Sequence, residues 1–222
     1  LVEDDMAKSF FNALKQKYFT LQAEDNFLDI RVLEIGGFQN VVHFYVEANN
    51  YIFYDNVYVV AYMDKDVETD IIPYAQYGNQ EVIKQYNNNS PYLHFLPYTP
   101  EVFLVKTFYD KKIELLRSLS NVYDNQQLQY SATENFDFNE YEAVLPVFTS
   151  QNDYNRCIEE RGLFRKRCKK EAERIAKLLA DQVNQSVEEI YRLTFKMAVD
   201  NISENELNVR SLLASTMKRL RR

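Results

Sequence analysis

A change in charge and aromatic content near residue 150 is the feature that most constrains this chain. Residues 1–150 carry 10 Lys and Arg against 22 Asp and Glu, a net charge of −12, whereas residues 151–222 carry 16 against 11, a net charge of +5. The first part also holds 28 of the 32 Tyr and Phe residues. This asymmetry predicts an acidic, aromatic-rich domain over 1–150 and a basic helical region over 151–222. We expect the opposite charges to serve docking of the two parts on each other or binding of partners, rather than catalysis.

The length and composition predict a globular chain. With 222 residues and 46% hydrophobic content, the chain can fill a core of one large domain or two small ones. No stretch reaches the roughly 18 to 20 consecutive apolar residues that span a bilayer. The opening Leu1-Val2-Glu3-Asp4-Asp5 has the character of neither a signal peptide nor a transit peptide.

Hydrophobic periodicity predicts an N-terminal helix followed by an antiparallel meander. Asp4 or Asp5 can cap a helix that extends to about Tyr18. Three runs rich in β-branched and aromatic residues then predict strands, with Gly36-Gly37 and Asn49-Asn50 as turns. These runs are Phe27–Ile35, Val41–Ala48 and Tyr51–Met63.

The order of helix and meander resembles the layout of cystatins. The matching features are the helix, the strand from Phe27 to Ile35, the run Gln39-Asn40-Val41-Val42-His43 and the strand from Tyr51 to Met63. His43 stands where the cystatin loop has glycine, and Pro73-Tyr74 replaces Pro-Trp. The resemblance covers a third of the chain; it implies a cystatin-like layout and carries over no inhibitory residues.

A long helix is predicted over about 100–123. Thr99-Pro100-Glu101 combines a capping hydroxyl, proline at the first helical position and an acid in the first turn. The first half is apolar almost all round, which predicts a central buried helix. Residues 64–98 are interpreted as mostly irregular, with a possible short helix at Gln80–Tyr86, and Ala143–Phe148 as an edge strand containing Pro146. The predicted fold class is α+β.

An apolar stripe in the C-terminal region predicts helices that pack on a partner. Five residues of the stripe are the expected apolar contact residues. They are Leu179, Val183, Ile190, Leu193 and Met197. Ser203 and Glu206 form a capping box that predicts a separate last helix from about Glu204.

A basic stretch over 156–177 precedes and overlaps this stripe. Five of its residues are expected to form an electrostatic rim around the apolar contact: Arg165, Lys166, Arg167, Lys169 and Lys170. The stretch could also meet nucleic acid or an anionic surface. Nucleic acid is disfavoured because only Phe164 could stack on bases and the whole chain has a pI near 5.0.

The two cysteines, Cys157 and Cys168, leave two readings open. In one continuous helix they would lie about 16 Å apart, too far for the roughly 4.4 to 6.8 Å between alpha carbons that a disulfide needs. A break at Gly162 would allow a small disulfide loop in a secreted protein. In a reducing compartment both would be ordinary thiols.

No catalytic, metal or cofactor motif is found in the sequence. The only histidines, His43 and His94, lie away from the cysteines, and the acidic run Asp64–Asp70 lacks the glycine and glutamate of a calcium loop. The sequence therefore predicts a protein without enzymatic activity, bound metal or cofactor.

Two further signals are compatible with a secretory route. Asn-x-Ser sequons begin at Asn88, Asn184 and Asn201, and Pro91 weakens the first. Arg219, Arg221 and Arg222 match the pattern that furin-like convertases cut, although basic residues also stabilise the ends of helices. These signals favour a secreted or extracellular glycoprotein, with an intracellular protein as the alternative.

The predicted function is non-enzymatic binding through protein–protein association of the C-terminal helices, with a protein partner or a second copy. One alternative is a secreted glycoprotein fragment, either a prosegment or a cystatin-like inhibitor, processed after Arg222. The other alternative is binding of nucleic acid or an anionic surface through residues 156–177.

Overall fold

The computed structural model describes residues 1–18, 31–48, 59–89 and 92–202. The described residues divide into two compact units, 1–99 with 199–202, and 100–198. Helices dominate the described parts of the chain, and the only sheet in them has two strands. The predicted α+β fold with a cystatin-like antiparallel meander is therefore wrong. The change of composition near residue 150 lies within the second unit. The division into domains at that position stays a prediction.

The N-terminal helix of the first unit is confirmed. Helix α1 spans Asp5–Tyr18, and its first turn is capped because Ala7 N donates to Asp4 Oδ1 at 3.0 Å. Phe10 and Leu14 lie one turn apart on the helix and are buried.

The second element is a helix where a strand was predicted. Helix α2 spans Phe38–Glu47. Val41, Tyr45 and Ala48 are all buried, and their spacing of four and three residues is the period of a helix. Burial of this face outweighs the strand preference of β-branched and aromatic residues, which is small and depends on context.

The two strands of the first unit pair in parallel. Strand β1 spans Ala61–Met63 and strand β2 spans Leu93–Phe95, with Ala61 opposite Leu93. Only the end of the strand predicted over 51–63 is thus observed, and residues 51–58 lie outside the described residues. Of the strand predicted over 27–35, residues 31–35 contribute a single bridge, between Val2 and Glu34.

The core of the first unit forms between α2, the two strands and the segment that joins them. Its buried members are Val41, Val42, Tyr45, Ala61, Met63, Val67, Val82 and Leu93. The joining segment was predicted as mostly irregular, with a possible short helix at Gln80–Tyr86 that the structure confirms. It contains a π-helical turn, a 3-10 turn and helix α3. Their bounds are Val67–Ile71, Ile72–Tyr77 and Gln80–Asn89.

The second unit begins with two helices where one was predicted. Helix α4 spans Pro100–Asp110 and α5 spans Lys112–Tyr123. They are separated at Lys111, whose φ of −116° and ψ of 25° depart from helical values. Phe108 and Leu115 are fully buried on either side of the break, so the predicted burial of this region holds.

The segment between α5 and the next long helix is mostly irregular. It contains the short helix α6, Phe138–Glu142. The edge strand predicted over Ala143–Phe148 is wrong, because these residues form no strand and the sheet in the described residues contains only β1 and β2.

The basic region forms two helices. Helix α7 spans Gln151–Val183 and α8 spans Val187–Asp200. Asn184 ends α7 in the left-handed conformation with φ of 52°, and Ser186 Oγ accepts from Glu189 N at 3.2 Å at the start of α8. The apolar stripe predicted as one run is thus divided between two helices. No helix in the described ranges is both long and apolar enough to cross a membrane.

Candidate functional site

Helix α7 is the scaffold of the candidate site. Ser150 caps its first turn, since Asp153 N donates to Ser150 Oγ at 3.2 Å. Ile175, Ala176 and Leu179 are fully buried along one side of the helix, and α4 packs against α7. A 33-residue helix fixed in this way presents its remaining side chains in a rigid row.

A buried carboxylate joins α7 to α4 and to the irregular segment. Glu171 is 3% exposed. It accepts from Tyr109 Oη at 3.1 Å, from Thr133 N at 3.0 Å and from Thr133 Oγ1 at 2.9 Å. Arg174 Nε lies 2.7 Å from Glu171 Oε2 and completes the site with an ion pair. The carboxylate is fully satisfied, which makes it a structural centre.

The environment of Glu171 lowers its pKa to about 2 from an ordinary value of 4.5, mainly through the hydrogen bond from Arg174 and against the cost of burial. Burial and the same carboxylate raise the pKa of Tyr109 to about 12. Sequence reasoning missed Glu171. A signal was present, because Glu171 lies four residues before Ile175 and thus on the apolar stripe of α7.

An aromatic cluster holds α6 and the preceding residues on α7. Tyr141 stacks on Phe164 with ring centroids 4.7 Å apart and an interplanar angle of 11°. Phe136 and Phe138 meet Phe164 edge to face at 5.4 and 6.1 Å. Because Phe164 is packed among these rings, it does not offer a free face for a nucleic-acid base.

The predicted basic rim divides into two groups in the structure. Arg167 pairs with Glu134 at 2.6 Å and lies over the Phe136 ring, and Arg165 Nη1 lies 3.5 Å from Tyr141 Oη. Lys169 is half-buried. Lys166 and Lys170 are exposed on α7, so these two lysines, rather than the arginines, are available to a partner.

An exposed face of α7 combines lysines with leucines. Lys166, Lys170 and Lys177 are four and seven residues apart, which places them on one side of the helix. Leu163, three residues before Lys166, is 54% exposed, and Leu178, which lies beside the row about 100° around the helix from Lys177, is 40% exposed. We call these five residues the lysine face.

The predicted apolar contact residues lie mostly inside the chain. Leu179 and Ile190 are fully buried, whereas Val183, Leu193 and Met197 are half-buried. Leu179 and Ile190 therefore offer no surface to a partner, and a contact role stays a prediction only for the other three.

The predicted disulfide is wrong. Cys157 and Cys168 are both free thiols. Helix α7 continues through Gly162, so the two alpha carbons keep the spacing of about 16 Å that a continuous helix imposes.

We expect the two thiols to differ strongly in reactivity. Cys157 is half-buried, whereas Cys168 is fully buried and burial raises the pKa of its thiol to about 12. A maleimide should label Cys157 in the folded protein and reach Cys168 only after unfolding, because the thiolate is the reacting species. Peptide mass mapping after native and denaturing labelling measures this, and equal native labelling of both would contradict it.

The remaining predicted positions lie at the ends of helices or outside the described residues. Asn88 and Asn184 are exposed at the ends of α3 and α7, and Asn201 is exposed just after α8. Arg219, Arg221 and Arg222, and the helix predicted from Glu204, fall outside the described residues.

Across the described part of the chain, no three His, Cys, Asp or Glu side chains come together as a metal site would require. Neither Glu171 nor the lysine face is arranged as a nucleophile with a base.

Comparisons of this chain with protein-family models, with curated proteins and with solved structures find no match.

Proposed function

We propose that the protein is a non-enzymatic binding protein that acts through protein–protein association of its C-terminal helices, with the lysine face of α7 as the contact surface. The observation that supports this is the exposed row of Lys166, Lys170 and Lys177 between Leu163 and Leu178. Apolar side chains beside a surface of net positive charge provide the anchor and the steering of a protein interface.

The charge of the lysine face determines the kind of partner. The three lysines lie within about 16 Å along the helix and outnumber the exposed Glu173 between them. The net positive charge that results favours an acidic protein surface. A second copy of this acidic chain, whose net charge is −7, could supply such a surface. A protein is favoured over nucleic acid because Phe164, the aromatic residue nearest to the row along α7, is already stacked on Tyr141.

Charge reversal tests the proposal. The variant Lys166→Glu, Lys170→Glu, Lys177→Glu should bind its partner on the order of tenfold more weakly at low salt, and high salt should reduce the difference. A photo-crosslinking amino acid at position 163, used in extracts of the source organism and with the purified protein alone, identifies the partner or a second copy. Light scattering measures the mass of each complex.

A matched control has the same change in charge elsewhere. Lys84, Lys111 and Lys196 are exposed and lie outside the lysine face, so their joint replacement by Glu should leave the cross-linked species unchanged. Equal loss with both triple variants, or no discrete cross-linked protein, would contradict the proposal. Binding of a labelled single-stranded oligonucleotide that only the lysine-face variant loses would support the nucleic-acid alternative instead.

A further inference from the structure

The segment between α6 and α7 exposes two valines almost completely. Val144 is 95% and Val147 is 93% exposed, more than any other large apolar residue among those the structure describes. Leu145 and Phe148, each the next residue along, are half-buried. Two apolar side chains this exposed and only three residues apart make the segment a candidate for contact with another molecule.

The pattern of exposure has the period of a polyproline-II helix. Val144 and Val147 are three residues apart, and so are the half-buried Leu145 and Phe148. A polyproline-II helix has about three residues per turn, whereas a strand alternates every two residues. Ala143 has φ of −62° and ψ of 143°, which are polyproline-II values, and Pro146 restricts the middle of the segment to a compatible φ.

The segment is fixed at both ends. On the upstream side Tyr141 stacks on Phe164, and Glu142 Oε1 pairs with Lys106 Nζ at 2.8 Å. On the downstream side Phe148 meets the buried Tyr154 edge to face at 5.5 Å. A partner would therefore meet an ordered ligand, and binding would cost little conformational entropy.

Along the sequence, the residues on both sides of the segment are acidic. Residues 118–155 contain six Asp and Glu and no Lys, Arg or His. In the structure Lys106 pairs with Glu142, and Arg161 and Arg165 lie at the ring and the hydroxyl of Tyr141. The exposed carboxylates upstream of the segment that remain for a partner are those of Asp137 and Glu140. A groove that receives this segment would be complementary if its rim were basic.

We propose that Ala143–Phe148 is a linear motif that a separate protein binds in polyproline-II conformation, in an apolar, aromatic-lined groove with a basic rim. Val144 and Val147 are the two side chains that enter the groove. Such grooves recognise ligands with this three-residue repeat and gain from their preformed conformation. The motif shares no residue with the lysine face and does not depend on it.

The test uses the full chain, labelled with a fluorophore, on an array of purified SH3, WW and EVH1 modules that have basic or acidic rims. Wild-type protein should bind modules with basic rims. The variant Val144→Ser, Val147→Ser should bind about tenfold or more weakly, because it removes two apolar anchors. Glu140→Gln should reduce the salt dependence of binding, and Pro146→Ala should weaken binding by relaxing the conformation.

Two exposed residues on α5 provide the control. Ile113 and Val122 are 70% and 56% exposed, so Ile113→Ser, Val122→Ser removes a similar apolar area from the second unit and should bind like wild type. Unfolding midpoints should be unchanged in both double variants because all four side chains are exposed. The proposal is overturned if no module prefers wild type to the Val144 and Val147 variant. It is also overturned if light scattering shows that these valines join two copies of the chain.

Discussion

Replacement of Phe108 by Ala should lower the free energy of unfolding by about 3 to 5 kcal/mol, the usual penalty for emptying a large aromatic site. Phe108 is fully buried in α4. Its ring meets Tyr130 edge to face at 5.8 Å, and its carbonyl accepts from Tyr130 Oη at 2.5 Å. The cavity would therefore open where α4 holds the segment that follows α5. Denaturant unfolding measures the loss.

The control for Phe108 is Ile113→Ala on the neighbouring helix. Ile113 is 70% exposed, so its replacement should change the free energy of unfolding by less than about 0.5 kcal/mol. A loss below about 1 kcal/mol for Phe108→Ala would mean that α4 is peripheral in the second unit, contrary to the structure.

Replacement of Glu171 by Gln should lower the free energy of unfolding by about 2 to 3 kcal/mol near neutral pH. The carboxylate accepts hydrogen bonds from Tyr109 and Thr133 and pairs with Arg174. A Gln side chain has the same shape but only one acceptor oxygen, and its amide would place donors against donors. The control is Glu173→Gln, two residues along α7, where the side chain is exposed.

The same residue predicts how stability depends on pH. The pKa of Glu171 is about 2 in the folded protein and 4.5 as an ordinary carboxyl, so the folded protein binds this proton more weakly than the unfolded chain does. Its contribution is full above about pH 4.5 and is lost as the pH falls toward about 2. Urea melts across this range should show a shallower acid limb for Glu171→Gln. Parallel curves for the variant and wild type would contradict the role of this carboxylate.

The two proposed contacts would draw on opposite charges. The lysine face is basic, whereas the Ala143–Phe148 motif has acidic residues upstream. Added salt should weaken both contacts, but charge reversal of the lysines should leave the motif unaffected. A partner lost in both sets of variants would show that the two surfaces act as one.

Helix starts were predictable where the signal is local. Asp4 caps α1, and Pro100 begins α4 directly after Thr99, because a cap depends on residues within one turn. The start of α8 was equally readable, since Ser186 and Glu189 are spaced as a capping box. It was overlooked because the apolar stripe continues across Asn184.

Where burial competes with local preference, the sequence alone did not distinguish a helix from a strand. Val41–Ala48 is rich in strand-forming residues, yet it lies largely in α2, because its buried face packs in the core of the first unit. Strand and helix preferences differ by less than about 1 kcal/mol per residue, and burial of one large side chain exceeds that. Whether Ala143–Phe148 becomes a strand depends likewise on a neighbouring edge, which no local pattern specifies.

The sequence by itself determined the separation of charge, the amphipathic helices of the C-terminal region, the cap of α1 and the start of α4. Only the tertiary structure decided the environment of Glu171, whose partners Thr133 and Tyr109 are 38 and 62 positions away. It also decided which lysines stay exposed, because Arg167 is engaged by Glu134, 33 positions away. Hydrogen bonds and ion pairs of this kind arise only when folding brings distant segments together, and composition and periodicity do not record which segments meet.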